Sequence, residues 1–281
     1  MKVRLLTSLG ILVFGLPLLL LSEFIVYPIA LGILSCISAW ELLRVFGLQK
    51  KFFVSVPSFA VAALIPFFSS KEFVSAEAHK SYMLVMALVL FSLLLWLAAV
   101  AVFSRGSISY KSVTAVFMAV TYVTVSFTSL SLLRYMPNGV YFFELVFISA
   151  WMCDTFAYFT GRLFGKHKLA PELSPKKTVE GSVGGVLFSI IGCLLYGLII
   201  ELIEPELQAN YPMLAAIGLV GAFTAQVGDL WASLIKREYG VKDYSRILPG
   251  HGGIMDRFDS ILAVSTVILV LSIFAPPFVL A

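Results

Sequence analysis

Apolar runs long enough to cross a bilayer follow one another almost without pause along this 281-residue chain, and that succession limits the possible folds more than any other feature. They fall at about 5–21, 25–40, 52–69, 81–103, 112–133, 140–160, 183–203, 211–231 and 258–278, each close to the roughly 17 to 25 residues that a membrane-spanning helix needs. Inside a bilayer no water is present to pair with backbone N–H and C=O groups, so such runs fold as helices. The expected class is therefore all-α: a polytopic integral membrane protein of nine transmembrane helices, forming a single membrane domain over 1–281. Charged residues make up 13% of the chain, against about 25% in soluble domains. A soluble globular protein is excluded.

Lys2 and Arg4 precede the first run in the manner of a secretory signal, but no small-x-small cleavage site follows, and only Ser22-Glu23-Phe24 separates it from the second. The segment reads as a retained first helix. Cys36, Cys153 and Cys193 all lie inside apolar runs, and neither their number nor their spacing suits a disulfide framework or a zinc site. They read as small core residues. His79 and His167 have no metal-ligand spacing.

The loops carry an orientation signal. With the N-terminus in the cytoplasm, the inner segments hold Lys2 and Arg4; Arg44, Lys50 and Lys51; Arg105 and Lys111; Arg162, Lys166, Lys168, Lys176 and Lys177; and Lys236, Arg237, Lys242, Arg246 and Arg257. These are 17 of the 20 basic residues, leaving Lys71, Lys80 and Arg134 outside. A miscounted span among the first five would spoil this alternation, so helix number and sidedness support each other. No repeat or linker divides the chain. The half from 1 to 139 is chemically bland, whereas 140–281 carries two motif loops, 161–182 and 232–257, which then share the cytoplasmic face.

The second loop is the denser. At the end of the eighth run, QVGDLWASLIKR places Asp229, Ser233, Lys236 and Arg237 at i, i+4, i+7 and i+8, one face of a helix that continues past the membrane border. Snorkelling accounts for cations at a helix end but not for an aspartate beneath them. Asp256 and Asp259, at i and i+3 in GGIMDRFDS, project from the first turn of the last span, where carboxylates serve either as caps or as a magnesium platform together with Asp229. Between these lies Pro249-Gly250-His251-Gly252-Gly253, whose glycines suit positive-φ turns or close approach to a phosphate.

In loop 161–182, SPKKTVEG offers Lys176, Lys177 and Thr178 as phosphate-holding groups, with Glu180 opening the next span. Just before it, Asp154 lies within a membrane run. A carboxylate there costs roughly 2.5 to 3.5 kcal/mol on insertion scales unless it is paired or lines a polar cavity. Carboxylates for a divalent metal, cations for phosphates and a position at the headgroup boundary are what phosphoryl or nucleotidyl transfer requires.

The run from Ser233-Leu-Ile-Lys236-Arg237, through Lys242-Asp243, to His251-Gly252-Gly253 and Asp256-Arg257-Phe258-Asp259 resembles the signature of the phosphatidate cytidylyltransferase family, also called CDP-diacylglycerol synthases. SPKKTVEG and Asp154 with Ala157-Tyr158 match as well, so motifs cover the C-terminal half and a hydrophobic pattern the rest. The resemblance implies CTP and phosphatidate as substrates, CDP-diacylglycerol and pyrophosphate as products, and the first step of CDP-diacylglycerol-dependent phospholipid synthesis. It implies Mg2+, in some members with K+, a homodimer, no nucleic-acid partner, and attack of the lipid phosphate on the α-phosphorus of CTP without a covalent enzyme intermediate.

Carried onto this chain, Asp229, Asp256 and Asp259 bind metal and Lys236 and Arg237 hold phosphates. Asp154, Lys176, Lys177, Thr178, Glu180, Ser233, Lys242, Asp243, His251, Gly252, Gly253 and Arg257 form the substrate sites, on the cytoplasmic side of a bacterial inner membrane. A CTP-dependent lipid or polyprenol kinase is the alternative, and a transporter a more distant one. A CDP-alcohol phosphotransferase would show D-G-x-x-A-R and G-x-x-x-D-x-x-x-D runs, which do not occur here.

Overall fold

A computed structural model describes residues 24–70 and 79–280; the apolar run at 5–21 lies outside the described residues. Eight helices are described: α1 (Val26–Val45), α2 (Phe52–Phe68), α3 (His79–Phe103), α4 (Tyr110–Tyr135), α5 (Gly139–Phe164), α6 (Val179–Ile203), α7 (Tyr211–Glu238) and α8 (Met255–Phe274). All except α2 contain a stretch long and apolar enough to cross a membrane. The chain is thus an all-α polytopic membrane protein, and its helices fall on the expected runs from 25–40 to 258–278.

Four short strands were not anticipated from the sequence. β1 (Lys168–Ala170) pairs antiparallel with β2 (Ser174–Thr178), and β3 (Leu207–Ala209) pairs antiparallel with β4 (Phe278–Leu280). The chain divides into two compact units. One contains the described residues up to Leu132 together with Tyr239–Arg257, and the other Leu133–Glu238 with the residues from Phe258 onward.

In the first unit, α1 and α2 meet at Gly32, where an added Cβ would lie 2.7 Å from the Ala63 carbonyl oxygen. Small residues allow such backbone approach where lipid supplies no hydrophobic force between helices. Ala39, Leu43, Val54, Ala62, Leu97, Val116 and Val120 form the buried apolar centre. Pro57, inside α2, has no N–H to give the Phe53 carbonyl one turn earlier. The Trp96 indole donates to that oxygen instead, at 2.7 Å.

The second unit is built on closely packed glycines. A Cβ on Gly185 of α6 would sit 2.8 Å from the Cys153 carbonyl of α5, and one on Gly218 of α7 would sit 2.5 Å from Ile190 Cα of α6. The Ser149 and Ser189 hydroxyls pair across α5 and α6 at 3.1 Å. At the end of the chain, the β3–β4 pair places buried Phe278 against Tyr141, Phe142 and Tyr196.

Candidate active site

The basic SPKKT segment becomes strand β2 and runs directly into α6. Thr178 is the N-cap of that helix, its hydroxyl accepting the Gly181 N–H at 3.1 Å. Glu180 folds back over the loop: its carboxylate accepts the Lys166 and His167 N–H groups at 3.1 and 3.2 Å and meets His167 Nδ1 at 2.6 Å. Two residues expected in the substrate set thus shape the backbone that presents Lys176 and Lys177. The Lys177 ammonium pairs with the Asp229 carboxylate of α7.

Helix α7 does continue past the border expected for its span, ending at Glu238, so Asp229, Ser233, Lys236 and Arg237 share one uninterrupted helix. Arg237 Nε donates to the Leu173 carbonyl at 3.5 Å, reaching the turn between β1 and β2. Asp259 of α8 and Asp154 of α5 lie within the electrostatic field of Asp229 and of each other, with Lys177 and Lys236 offsetting their charge. The Ser260 hydroxyl donates to Asp154 Oδ2 at 3.2 Å. Asp259 Oδ1 accepts the Ser260 N–H at 2.9 Å.

Beside this cluster is a cavity of about 260 Å³ whose lining includes Asp154, Tyr158, Arg162, Lys176, Lys177 and Gln226. Gln226 is fixed in that lining: it accepts the Ser182 hydroxyl and donates to the Ser182 carbonyl at 3.2 Å and to Cys153 Sγ at 3.4 Å.

The remaining expected residues lie in the first unit, on the segment from Tyr239 to Arg257. Pro249-Gly250 occupies the centre of a tight turn closed by His251 N–H to the Leu248 carbonyl at 2.9 Å, with Gly250 at φ 79°. This is the geometry of a type II turn, which needs positive φ at its third residue. Gly252, at φ 85°, follows and bridges back to Leu248.

Asp256 Oδ2 accepts the Tyr244 N–H at 2.8 Å and the Gly253 N–H at 2.9 Å, the latter in the manner of a capping box at the start of α8. Lys242, Asp243, Arg246, His251, Gly252 and Arg257 line a cavity of about 740 Å³, within the range of about 300 to 1,000 Å³ usual for small-molecule sites.

Among the described residues, no three of His, Cys, Asp or Glu stand as a preformed metal cage. Magnesium does not ask for one, since it takes one or two carboxylates and completes its shell with water and substrate phosphates. Asp229 and Asp259 fit that need in kind: hard anionic oxygens in one electrostatic cluster.

Three polar residues escaped the sequence reading. Gln226 and Ser260 stand at the ends of the runs QVGDLWASLIKR and GGIMDRFDS, with no spacing that marks them as site residues. Glu41 lay in the half read as bland, although a lone carboxylate within an apolar helix is itself a signal. It is fully buried and accepts the Ser245 hydroxyl and the Ile254 and Met255 N–H groups.

Residues 2–274 match the sequence pattern of the cytidylyltransferase family. A phosphatidate cytidylyltransferase of Staphylococcus haemolyticus is 36% identical over 277 residues, covering 97% of this chain and 99% of that protein. Proteins of the same name from Staphylococcus epidermidis and Staphylococcus aureus are each 35% identical over 277 residues, with the same coverage. The chain therefore belongs to the cytidylyltransferase family and is a membrane-embedded nucleotidyltransferase.

Proposed function

We propose that this protein is a phosphatidate cytidylyltransferase, joining CTP and phosphatidate to give CDP-diacylglycerol and pyrophosphate. The observation that carries the reading is the cluster of Asp154, Asp229, Asp259 and Lys236 on membrane helices with Lys177 from β2, in a chain whose relatives, matched over 99% of their length, bear that name. In this reaction a phosphate oxygen of the lipid forms a bond to the α-phosphorus of CTP, and the bond from that phosphorus to the α–β bridging oxygen breaks. Pyrophosphate leaves with the electron pair.

The chain's task is positioning and charge compensation. Lys177 and Lys236, which compensate the carboxylates, are the cations that would hold phosphate oxygens. Lys242, Arg246 and Arg257 give the larger cavity the charge to receive a polyphosphate. Asp154, on a span beside the smaller cavity, orients the cluster through Ser260.

Mg2+ belongs to the same proposal, with Asp229 and Asp259 as its carboxylates; Asp256, expected from the sequence as a third, serves two backbone N–H groups with its Oδ2. Bound there, the ion would neutralise charge developing on the transferred phosphoryl group. K+ as a second ion, homodimerisation and a cytoplasmic orientation complete the proposal; the 17 to 3 split of basic residues supports the orientation.

The deciding experiment is an assay of purified protein in detergent with phosphatidate, magnesium and each of the four nucleoside triphosphates. Pyrophosphate and a CDP-lipid, formed with CTP, are expected. CDP and a phosphorylated lipid product would overturn the proposal in favour of a kinase.

A further inference from the structure

Glu41 lies four residues before the end of α1, a membrane-spanning helix, and no part of it is exposed. A carboxylate in such a place is costly unless donors match it. Three do. Oε1 accepts the Ser245 hydroxyl and the Ile254 N–H at 2.9 Å, and Oε2 accepts the Met255 N–H at 2.7 Å.

The two amides belong to the start of α8, where N–H groups have no partner within the helix. They lie more than 200 residues away in sequence. Gly253 is set against the same carboxylate: a Cβ there would collide with it. Ser245 in turn accepts the Ile247 N–H at 3.2 Å. One side chain thus ties down both ends of the segment from Ser245 to Met255. Within that segment, the backbone is also held by the turn at Leu248–Gly252 and by Asp256, which accepts the Gly253 N–H.

This segment and its flanks carry Lys242, Arg246, His251 and Arg257 into the cavity of about 740 Å³. We propose that Glu41 is a positioning residue of the reaction: a clasp on the basic loop that holds its cations in one cavity for the phosphates of a substrate. The inference rests on the proposed function. Its distinct content is that a residue outside both motif loops sets phosphate affinity through backbone donors of the signature.

The chemistry of the clasp distinguishes it from packing. Glutamine has nearly the same volume but a single acceptor oxygen, so its amide NH2 would face one of the three donors. Glu41→Gln in the full-length protein in detergent should raise KM for a phosphate-bearing substrate, CTP or phosphatidate, about 10-fold, with kcat changed much less. Amide exchange should quicken in residues 244–257 while α1–α2 stays protected. Ser245→Ala, which removes one donor and leaves both amide contacts, should shift KM the same way by a smaller factor. Glu41→Asp, which keeps both anionic oxygens, should recover part of the loss.

Wild-type KM together with wild-type exchange in Glu41→Gln would overturn the proposal. So would loss of protection throughout the first unit, which would make Glu41 a general fold residue. A wild-type protein that turns over no CTP would instead overturn the functional reading, and the exchange comparison would still decide whether Glu41 holds the loop.

Discussion

The Lys177 ammonium of strand β2 pairs with the Asp229 carboxylate of helix α7, linking the two motif-bearing segments of the second unit through one ion pair. Neither residue is fully buried, so the pair contributes little to stability. Its consequence is electrostatic. It keeps a lysine beside Asp154 as well as Asp229, in the cluster proposed to receive phosphate charge.

Removing that lysine should therefore affect catalysis more than folding. Lys177→Ala is expected to insert normally and to lose roughly 10- to 100-fold in kcat/KM, the worth of one charge-assisted contact of about 1.5 to 3 kcal/mol. Steady-state kinetics on the purified variant check this. Wild-type values would return the loop to a role in membrane topology alone.

The aspartates separate two roles. Asparagine preserves the acceptor oxygen with which Asp256 takes the Tyr244 and Gly253 N–H groups, so Asp256→Asn should melt within a few degrees of the parent. Asp229→Asn, Asp256→Asn and Asp259→Asn should nevertheless each fall on the order of 100-fold in kcat, with a higher magnesium requirement, if their charge serves the metal. Undiminished activity in Asp256→Asn would leave that residue as a helix cap only.

Sidedness can be read chemically. In a variant whose cysteines are replaced, a single cysteine at Ser174, on β2, should be shielded from impermeant thiol reagents in intact cells. One at Gln208, exposed on β3, should be labelled. The reverse pattern would place the proposed site on the side without CTP.

Packing of α6 against α7 depends on the smallest residue. Gly218→Ala would put a methyl group 2.5 Å from the Ile190 Cα, and backbone cannot give way as a flexible side chain does. A loss of about 1 to 3 kcal/mol is expected, read as a lower thermal midpoint in detergent. An unchanged midpoint would show slack at this crossing.

Much of the fold was legible because membrane helices are specified locally: length, hydropathy and backbone pairing are settled within each run. The described helices from α1 to α8 follow the expected runs, and the turn at Pro249-Gly250 follows from residues that dictate their own φ. The stripe from Asp229 to Arg237 was equally local, since one helix carries it. The four short strands were missed because each holds three to five residues and shows no alternation over so short a length.

Side-chain partners between distant segments were not legible. Sequence spacing grouped Asp229 with the two aspartates of GGIMDRFDS, and Asp154 stood apart as the carboxylate of a separate span. Helix packing places Asp154 in the field of Asp229 and Asp259 and gives it Ser260 as a donor. In the first unit, Glu41 entered no sequence motif, and the fold brings Ser245, Ile254 and Met255 to it. The sequence by itself determined which segments span the membrane and which residue types the chemistry draws on. The tertiary structure decided which charges meet, because a helical period fixes the face a residue occupies on its own helix, whereas the close contacts of small residues fix which other helix that face meets.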